Sequence, residues 1–496
     1  MISYSQLLQL VMPEVIIAIT ALIVLAADLL LLRNHPTRLR FSVAAGLASI
    51  GCTGAILRLL LSSEQTNVLD GMLLTNPIVH FVQVALLVFT IITLLLSVDS
   101  TFTEHIGEFV LLILLATTGM LFLVGSQNIL IIFISLELLS LSLYILTAFD
   151  KRSPQSSEAA LKYFLFGGMS TAFLLFGFSL LYGLSNSTNL SQIAATIHAP
   201  FLPPLLIIAI GTTIIGFGFK VSAFPFHFWA PDVYQSAPIP AVAFISSASK
   251  VASFFIFFQV MTVGMAGSEG SAAWRHFAGG WVSGLAVIAA LSMLFGNLVA
   301  IVQSSMRRLL AYSAIAHAGY MLLAIVSHTQ WSLAALLYYV VTYGLATLGT
   351  IAVVGVVEKQ TDSDHLSCFE GLSRRAPTLS LCLFIFLLSL SGIPPLAGFF
   401  GKFFLFSSTL AATHESDGLL WLIVIAIATS AVSLYYYLQV LKRVYVANPP
   451  SEADDIRVPV LTQAVVVLLA GTVVLLGCAP HLLLQWILEA IHIAGL

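Results

Sequence analysis

Apolar residues in this chain fall in long windows separated by short polar gaps, and a window of about 18 or more such residues reads as a membrane-spanning helix. Fourteen windows can be drawn, at 11–32, 42–61, 78–98, 107–125, 127–148, 159–184, 203–226, 238–262, 277–301, 309–327, 332–356, 378–411, 418–441 and 460–486. The pattern predicts an all-α polytopic membrane protein of about 14 transmembrane helices. No gap is long enough to hold a soluble catalytic domain.

Composition agrees, with 59% hydrophobic and 8% charged residues, against roughly 25% charged in a soluble domain. The net charge of −3 says little, since most of the surface would face lipid. Placement of the nineteen basic residues is more informative, because Lys and Arg in short loops stay cytoplasmic. With the N-terminus outside, thirteen lie inside: Arg33, Arg38, Arg40, Lys151, Arg152, Arg307, Arg308, Lys359, Arg374, Arg375, Lys442, Arg443 and Arg457. Only Arg58 and Arg275 fall on the outer side, and Lys162, Lys220, Lys250 and Lys402 remain within helices. Both termini are therefore expected on the outer, periplasmic side of a bacterial inner membrane. The first window lacks a basic leader and is followed by Arg33, Arg38 and Arg40, so it reads as a retained helix rather than a cleaved signal. Cys52, Cys368, Cys382 and Cys478 are scattered singly and form no metal-type spacing. No GxGxxG or P-loop pattern follows a strand-like run, which argues against nicotinamide, flavin and ATP sites.

The charges inside the windows carry the chemistry. A charged group at the bilayer centre costs at least ~3 kcal/mol on insertion scales, so function is the default reading. Lys220, Lys250 and Lys402 lie well away from helix ends, and Glu137 is the acid expected at comparable depth. Static pairing is the plainer alternative, but one acid cannot pair three lysines. Glu137 itself could simply neutralise a neighbouring lysine.

Two windows are interrupted beside such a lysine: Pro225 follows Lys220 in the seventh, and Pro394 and Pro395 precede Lys402 in the twelfth. Broken helices in matching positions of two halves point to a transport site, because freed carbonyls and half-helix ends can face a water-filled cavity. The copies lie five helices apart, an odd number, so they would cross the membrane in opposite directions as an inverted repeat. The predicted organisation is an N-terminal three-helix addition at 1–100, a first five-helix repeat (helices 4–8) at 101–265, a second (helices 9–13) at 266–450, and a fourteenth helix at 451–496.

Other polar positions support plainer readings. Lys162 lies a few residues inside its helix and could snorkel to the cytoplasmic edge. His317 on an apolar helix suits an interhelical hydrogen bond as well as a proton relay. Asp232 and His227 lie past the seventh-helix break, where solvated or capping roles are expected, and Glu14 and Asp28 near the ends of helix 1 read as interfacial. Tyr144, Tyr312, Tyr338, Tyr339 and Tyr435 are assigned no role, since amphipathic tyrosines are common in membranes.

The stretches KYFLFGGMSTAFLLFG, FGFKVSAFPFHFWAPDVYQSAPIPAVAFISSASKVASF, RLLAYSAIAHAGYMLL and LSLSGIPPLAGFFGKF resemble the antiporter-like N subunit of the proton-pumping NADH:quinone oxidoreductase, respiratory complex I. The likeness runs through nearly the whole chain. The wording Trp229-Ala230-Pro231-Asp232-Val233-Tyr234 and the Lys250 within Ser249-Lys250-Val251-Ala252 are similar to the N subunit more than to its L and M siblings. The M type carries a glutamate where Lys402 stands, and the L type has a long lateral helix, whereas this chain stops about ten residues after its last window. The resemblance implies that Glu137 is the helix-5 glutamate, Lys220 the helix-7 lysine, Lys250 the helix-8 lysine and Lys402 the helix-12 lysine of a polar axis. It implies that Lys162 opens helix 6 and that His317 is a relay on helix 10. It further implies a proton-moving subunit with no redox centre, metal or cofactor on this chain; FMN, iron–sulfur clusters and quinone belong to other subunits. The expected surroundings are the bilayer, a sibling antiporter-like subunit and small membrane subunits, with no nucleic acid.

The energetics are adequate without covalent chemistry. Burial disfavours a charged form and an approaching opposite charge restores it. Lifting one proton against ~200 mV needs ~4.6 kcal/mol, about 3.4 units of pKa, and desolvation alone reaches that size. The alternative classes are a subunit of a multi-subunit cation/proton antiporter or of a membrane-bound hydrogenase, a structural anchor, and an organic-solute carrier. Metal-ion exchange would call for more buried acids, and an anchor would tolerate leucine at the buried lysines.

Overall fold

The computed structural model describes residues 4–62, 65–197, 203–412, 418–449 and 455–495. The predicted boundary at 450/451, and residues 1–3 and 496 at the termini whose side of the membrane the charge count predicts, lie outside the described residues. Among the described residues, twelve helices are long and apolar enough to cross a bilayer, from Met12–Leu32 to Val460–Cys478. They fall in twelve of the windows. The seventh and twelfth windows hold shorter pieces, Pro204–Lys220 in one and Pro377–Ser391 with Ala397–Ala411 in the other. The last window is shorter than drawn: its helix ends at Cys478, and a separate helix, His481–Ala494, follows. Pro480 between them lacks the N–H that a continuing helix needs.

The chain divides into two compact units, Met1–Gly216 with Ser236–Gly267 and Ile487–Leu496, and Phe217–Gln235 with Ser268–Trp486. In the first unit Met12–Ala27 packs on Thr37–Leu61 and Ile106–Val124, and Ile106–Val124 packs on Ile129–Thr147. A polar clamp fastens these helices. Asp28, fully buried, accepts hydrogen bonds from Arg40 Nε at 2.8 Å and Nη2 at 2.6 Å, and from the Gly107 N–H at 2.9 Å. In the second unit Trp281–Ile301 lies along Met306–Ser327, while Gln330–Thr361 is buried against Pro377–Ser391, Ala397–Ala411 and Val460–Cys478.

A detail recurs in both units. Asn128 caps the Ile129–Thr147 helix and bridges to Asn189, and Ser305 caps the Met306–Ser327 helix and bridges to His365. Ser305 comes 177 residues after Asn128, and His365 comes 176 after Asn189. Each cap places a side-chain oxygen on the unpaired N–H groups that open a helix.

Candidate functional site

In the second unit the chain leaves helical geometry immediately after Lys220. Pro204–Lys220 ends there, a cis bond joins Phe224 to Pro225, and helix resumes at Trp229–Ser236. Several of the polar groups at this break are paired, as suits a place where water is scarce. The Ala223 N–H donates to the Gly218 carbonyl, the Phe224 N–H to Ser292 Oγ at 2.9 Å, and the Trp229 indole N–H to the Phe219 carbonyl at 2.9 Å. Two arginines hold the resumed helix. Arg307 Nε donates to the Tyr234 carbonyl at 2.6 Å and its Nη1 to Glu358 at 3.0 Å, and Arg308 Nη1 meets Asp232 at 3.1 Å. Lys220 is buried.

The second interruption brings Lys402 against a freed helix end. Pro377–Ser391 stops at Gly392, whose φ of +85° suits glycine, and Ala397–Ala411 begins after a cis bond between Pro394 and Pro395. The Lys402 ammonium donates to the Ser391 carbonyl at 3.0 Å and to Ser430 Oγ at 2.9 Å, and lies 5.0 Å from the centre of the Tyr320 ring. A cation at a helix C-terminus meets the negative end of the dipole, and an aromatic face adds attraction. None of these partners is acidic. A Cβ on Gly392 would stand 2.9 Å from Lys402 Cδ, so this glycine serves both the turn and the lysine's stem.

A hydroxyl-rich network adjoins the lysine. Tyr320 donates to Thr429 Oγ1 at 3.2 Å and accepts from Asn297 Nδ2 at 3.1 Å, and Tyr436 donates to Asn297 Oδ1 at 3.1 Å. His317, buried beside Tyr320, places Nδ1 2.6 Å from the Tyr339 hydroxyl and Nε2 3.5 Å from that of Tyr437, which also bonds Ser313. Sequence reading singled out His317 but not Tyr320, Asn297, Ser430, Tyr436 or Tyr437, and gave Tyr339 no role. A signal was available in part: Ser313, His317 and Tyr320 recur at helical spacing and share one face.

The first unit contains Glu137, Lys162 and Lys250. Thr171 Oγ1 donates to Glu137 Oε1 at 2.8 Å, and Lys250 is buried on Ala248–Gln259. Lys162 forms an i,i+4 ion pair with Glu158 at 2.7 Å, its side chain 42% exposed. Glu14 and Asp28, expected near the ends of helix 1, are buried within the protein, and both are more enclosed than the half-buried Glu137. Asp28 is taken by Arg40. Asp232 is ion-paired to Arg308 rather than merely solvated, and His227 is buried and stacked against Phe224 and Phe228.

Among the described residues, no group of three or more His, Cys, Asp or Glu side chains is placed to hold a metal ion. A family model described as NADH:quinone oxidoreductase/Mrp antiporter, TM, matches residues 126–433. NADH-quinone oxidoreductase subunit N 2 of Acidobacterium capsulatum is 52% identical over 495 residues, covering 98% of this chain and 99% of that protein. The chain belongs to the antiporter-like N-subunit family of NADH:quinone oxidoreductase. Among solved structures, this N-type chain is similar to one in respiratory complex I from Thermus thermophilus with bound Aureothin, at 34% identity and a TM-score of 0.78, covering 95% of this chain and 98% of that one. A chain of the Mrp complex from Dietzia shares the fold at 18% identity and a TM-score of 0.81, with 98% and 97% covered.

Proposed function

We propose that this N-type chain is the proton-translocating membrane subunit of a redox-driven NADH:quinone oxidoreductase, and that it moves protons by switching the charge of buried lysines. The observation that carries the reading is Lys402, an amine buried beside an interrupted helix and held by a carbonyl, a hydroxyl and a ring face, with no acid among those partners. Such neighbours accept hydrogen bonds without locking the charge in place. The adjoining Tyr320, Asn297, Tyr436 and His317 groups supply polar atoms along which a proton can be passed.

Fourteen crossings, with the seventh and twelfth broken at Pro225 and at Pro394 and Pro395, organise the site in this reading. Two inverted repeats at 101–265 and 266–450 are flanked by the 1–100 addition and the 451–496 helix, with both termini outside. The matched Asn128–Asn189 and Ser305–His365 bridges support the repeat. Glu137, Lys220, Lys250 and Lys402 carry the proton, with Lys162 and His317 as accessory groups. The chain sits in the bacterial inner membrane beside a sibling antiporter-like subunit, and the flavin, iron–sulfur and quinone groups reside on other subunits. A sodium/proton antiporter subunit is the second reading. An ammonium at the broken helix disfavours it, since a sodium site needs oxygen ligands in that position.

The test uses the assembled enzyme in sealed vesicles, with Lys220→Leu or Lys402→Leu, recording quinone reduction and acidification together. Protons moved per quinone reduced fall in both variants. Full reduction with undiminished acidification in both would remove the reading.

A further inference from the structure

Glu14 stands apart from the lysines and outside the 126–433 stretch that the family model matches. It lies in the first turn of Met12–Ala27 and is only 6% exposed. Its Oε1 accepts from Gln83 Nε2 at 2.9 Å, and the same nitrogen donates to the Leu121 carbonyl at 3.2 Å, which uses both amide hydrogens. Its Oε2 is buried and meets no hydrogen-bond partner among the described residues. A single neutral side-chain donor does not replace the hydration of a carboxylate, and a carboxylic acid would still need an acceptor for its O–H. Either form therefore needs a further polar partner at Oε2.

The partner has room. Glu14 lines a cavity with Gln9, Arg58, Thr75, His80 and Gln83, which leaves about 20 Å³ for water centres. A water needs roughly 10–15 Å³ on that measure together with two to four polar partners; the volume suffices, and Glu14, Gln9, Arg58 and His80 are polar residues of the wall with groups to offer. Gln9 in the wall is exposed, and Arg58 and His80 are half-buried, so the cavity communicates with the surface. Arg58 from Thr37–Leu61 and His80 from Pro77–Ser97 are the other titratable groups in the wall; Ile106–Val124 contributes Phe122, and Tyr4–Leu10 contributes Gln9 and Leu10. The Arg58 guanidinium, 3.3 Å from the Gln9 carbonyl, makes the cavity a poor cation site, because a metal ion would lie beside a fixed positive charge.

We propose that Glu14 is a hydrated proton-binding carboxyl, exchanging its proton with water held in this cavity and, through that water, with the His80 imidazole. The site stands on its own geometry and does not require the lysines to conduct.

The test is infrared difference spectroscopy of the assembled complex, wild type against Glu14→Gln, over about pH 5 to 9, a range that brackets imidazole titration. One protonated-carboxyl band, sensitive to pH and to D2O, is present in the wild type and lost in the variant. Glu14→Asp restores a carboxyl band, which separates loss of the acid from loss of folding, and His80→Phe shifts the pH at which the wild-type band changes. A wild-type spectrum indistinguishable from that of Glu14→Gln across the range, or a band that D2O leaves unmoved, would overturn the proposal.

Discussion

Arg40→Ala tests whether the clamp on Asp28 is what holds the N-terminal helices together. Asp28 is fully buried, and its carboxylate accepts three hydrogen bonds, two from Arg40 and one from the Gly107 N–H. Removing the guanidinium strands a buried negative charge with a single neutral donor. Breaking a buried pair from one side costs about 3–5 kcal/mol, whereas exchanging both partners for apolar residues of similar size is close to neutral. At 1.4 kcal/mol for each factor of ten, the opening equilibrium of these helices rises by about two to three and a half powers of ten. Cys52 reports it, since its thiol is free and wholly buried on the Thr37–Leu61 helix that also carries Arg40. With Cys368, Cys382 and Cys478 replaced by alanine, thiol labelling of Cys52 accelerates by that factor in Arg40→Ala and returns near the parent rate in Asp28→Leu with Arg40→Met. Arg40→Lys falls between, because an ammonium cannot repeat the two-pronged bond. A labelling rate in Arg40→Ala within about threefold of the parent would refute the reasoning, since a stranded charge of that kind cannot be cheap.

Three further outcomes follow from particular contacts. Gly392→Ala puts a Cβ 2.9 Å from Lys402 Cδ and forces an alanine to φ +85°, costing about 1–2 kcal/mol and displacing the amine; acidification falls toward the Lys402→Leu level while quinone reduction persists. Tyr339→Phe removes the 2.6 Å partner of His317 Nδ1 in a buried setting, lowering stability by about 1–3 kcal/mol in a melting experiment, while Tyr435→Phe, at an exposed position, does not. Lys162→Met loses a half-exposed i,i+4 ion pair with Glu158, so unfolding shifts by less than about 0.5 kcal/mol and a changed pumping ratio in that variant would mark a transport role.

Most of the helix map is legible in the residues themselves, because the bilayer imposes a length and an apolar composition on every crossing. The windows for the twelve long helices needed no knowledge of neighbours. Interruptions were marked as well, since proline withdraws an N–H wherever it sits. The charge of a lysine among apolar residues is likewise a local fact. Which groups answer that charge is not. Arg40 reaches Asp28 across a turn, Gly107 reaches it from 79 residues away, and Gln83 reaches Glu14 from 69. Read along the chain, Glu14 and Asp28 are polar residues near the ends of a helix; in the fold both are enclosed, one clamped and one facing a small cavity. Ser391, Ser430 and Tyr320 meet around Lys402 from three separate helices. The chain alone thus determines what must be buried in the membrane, because transfer from water depends on each residue's own chemistry. Which partners make a buried charge tolerable was decided by tertiary packing, because hydrogen bonds and ion pairs act over a few ångströms between residues that the sequence holds far apart.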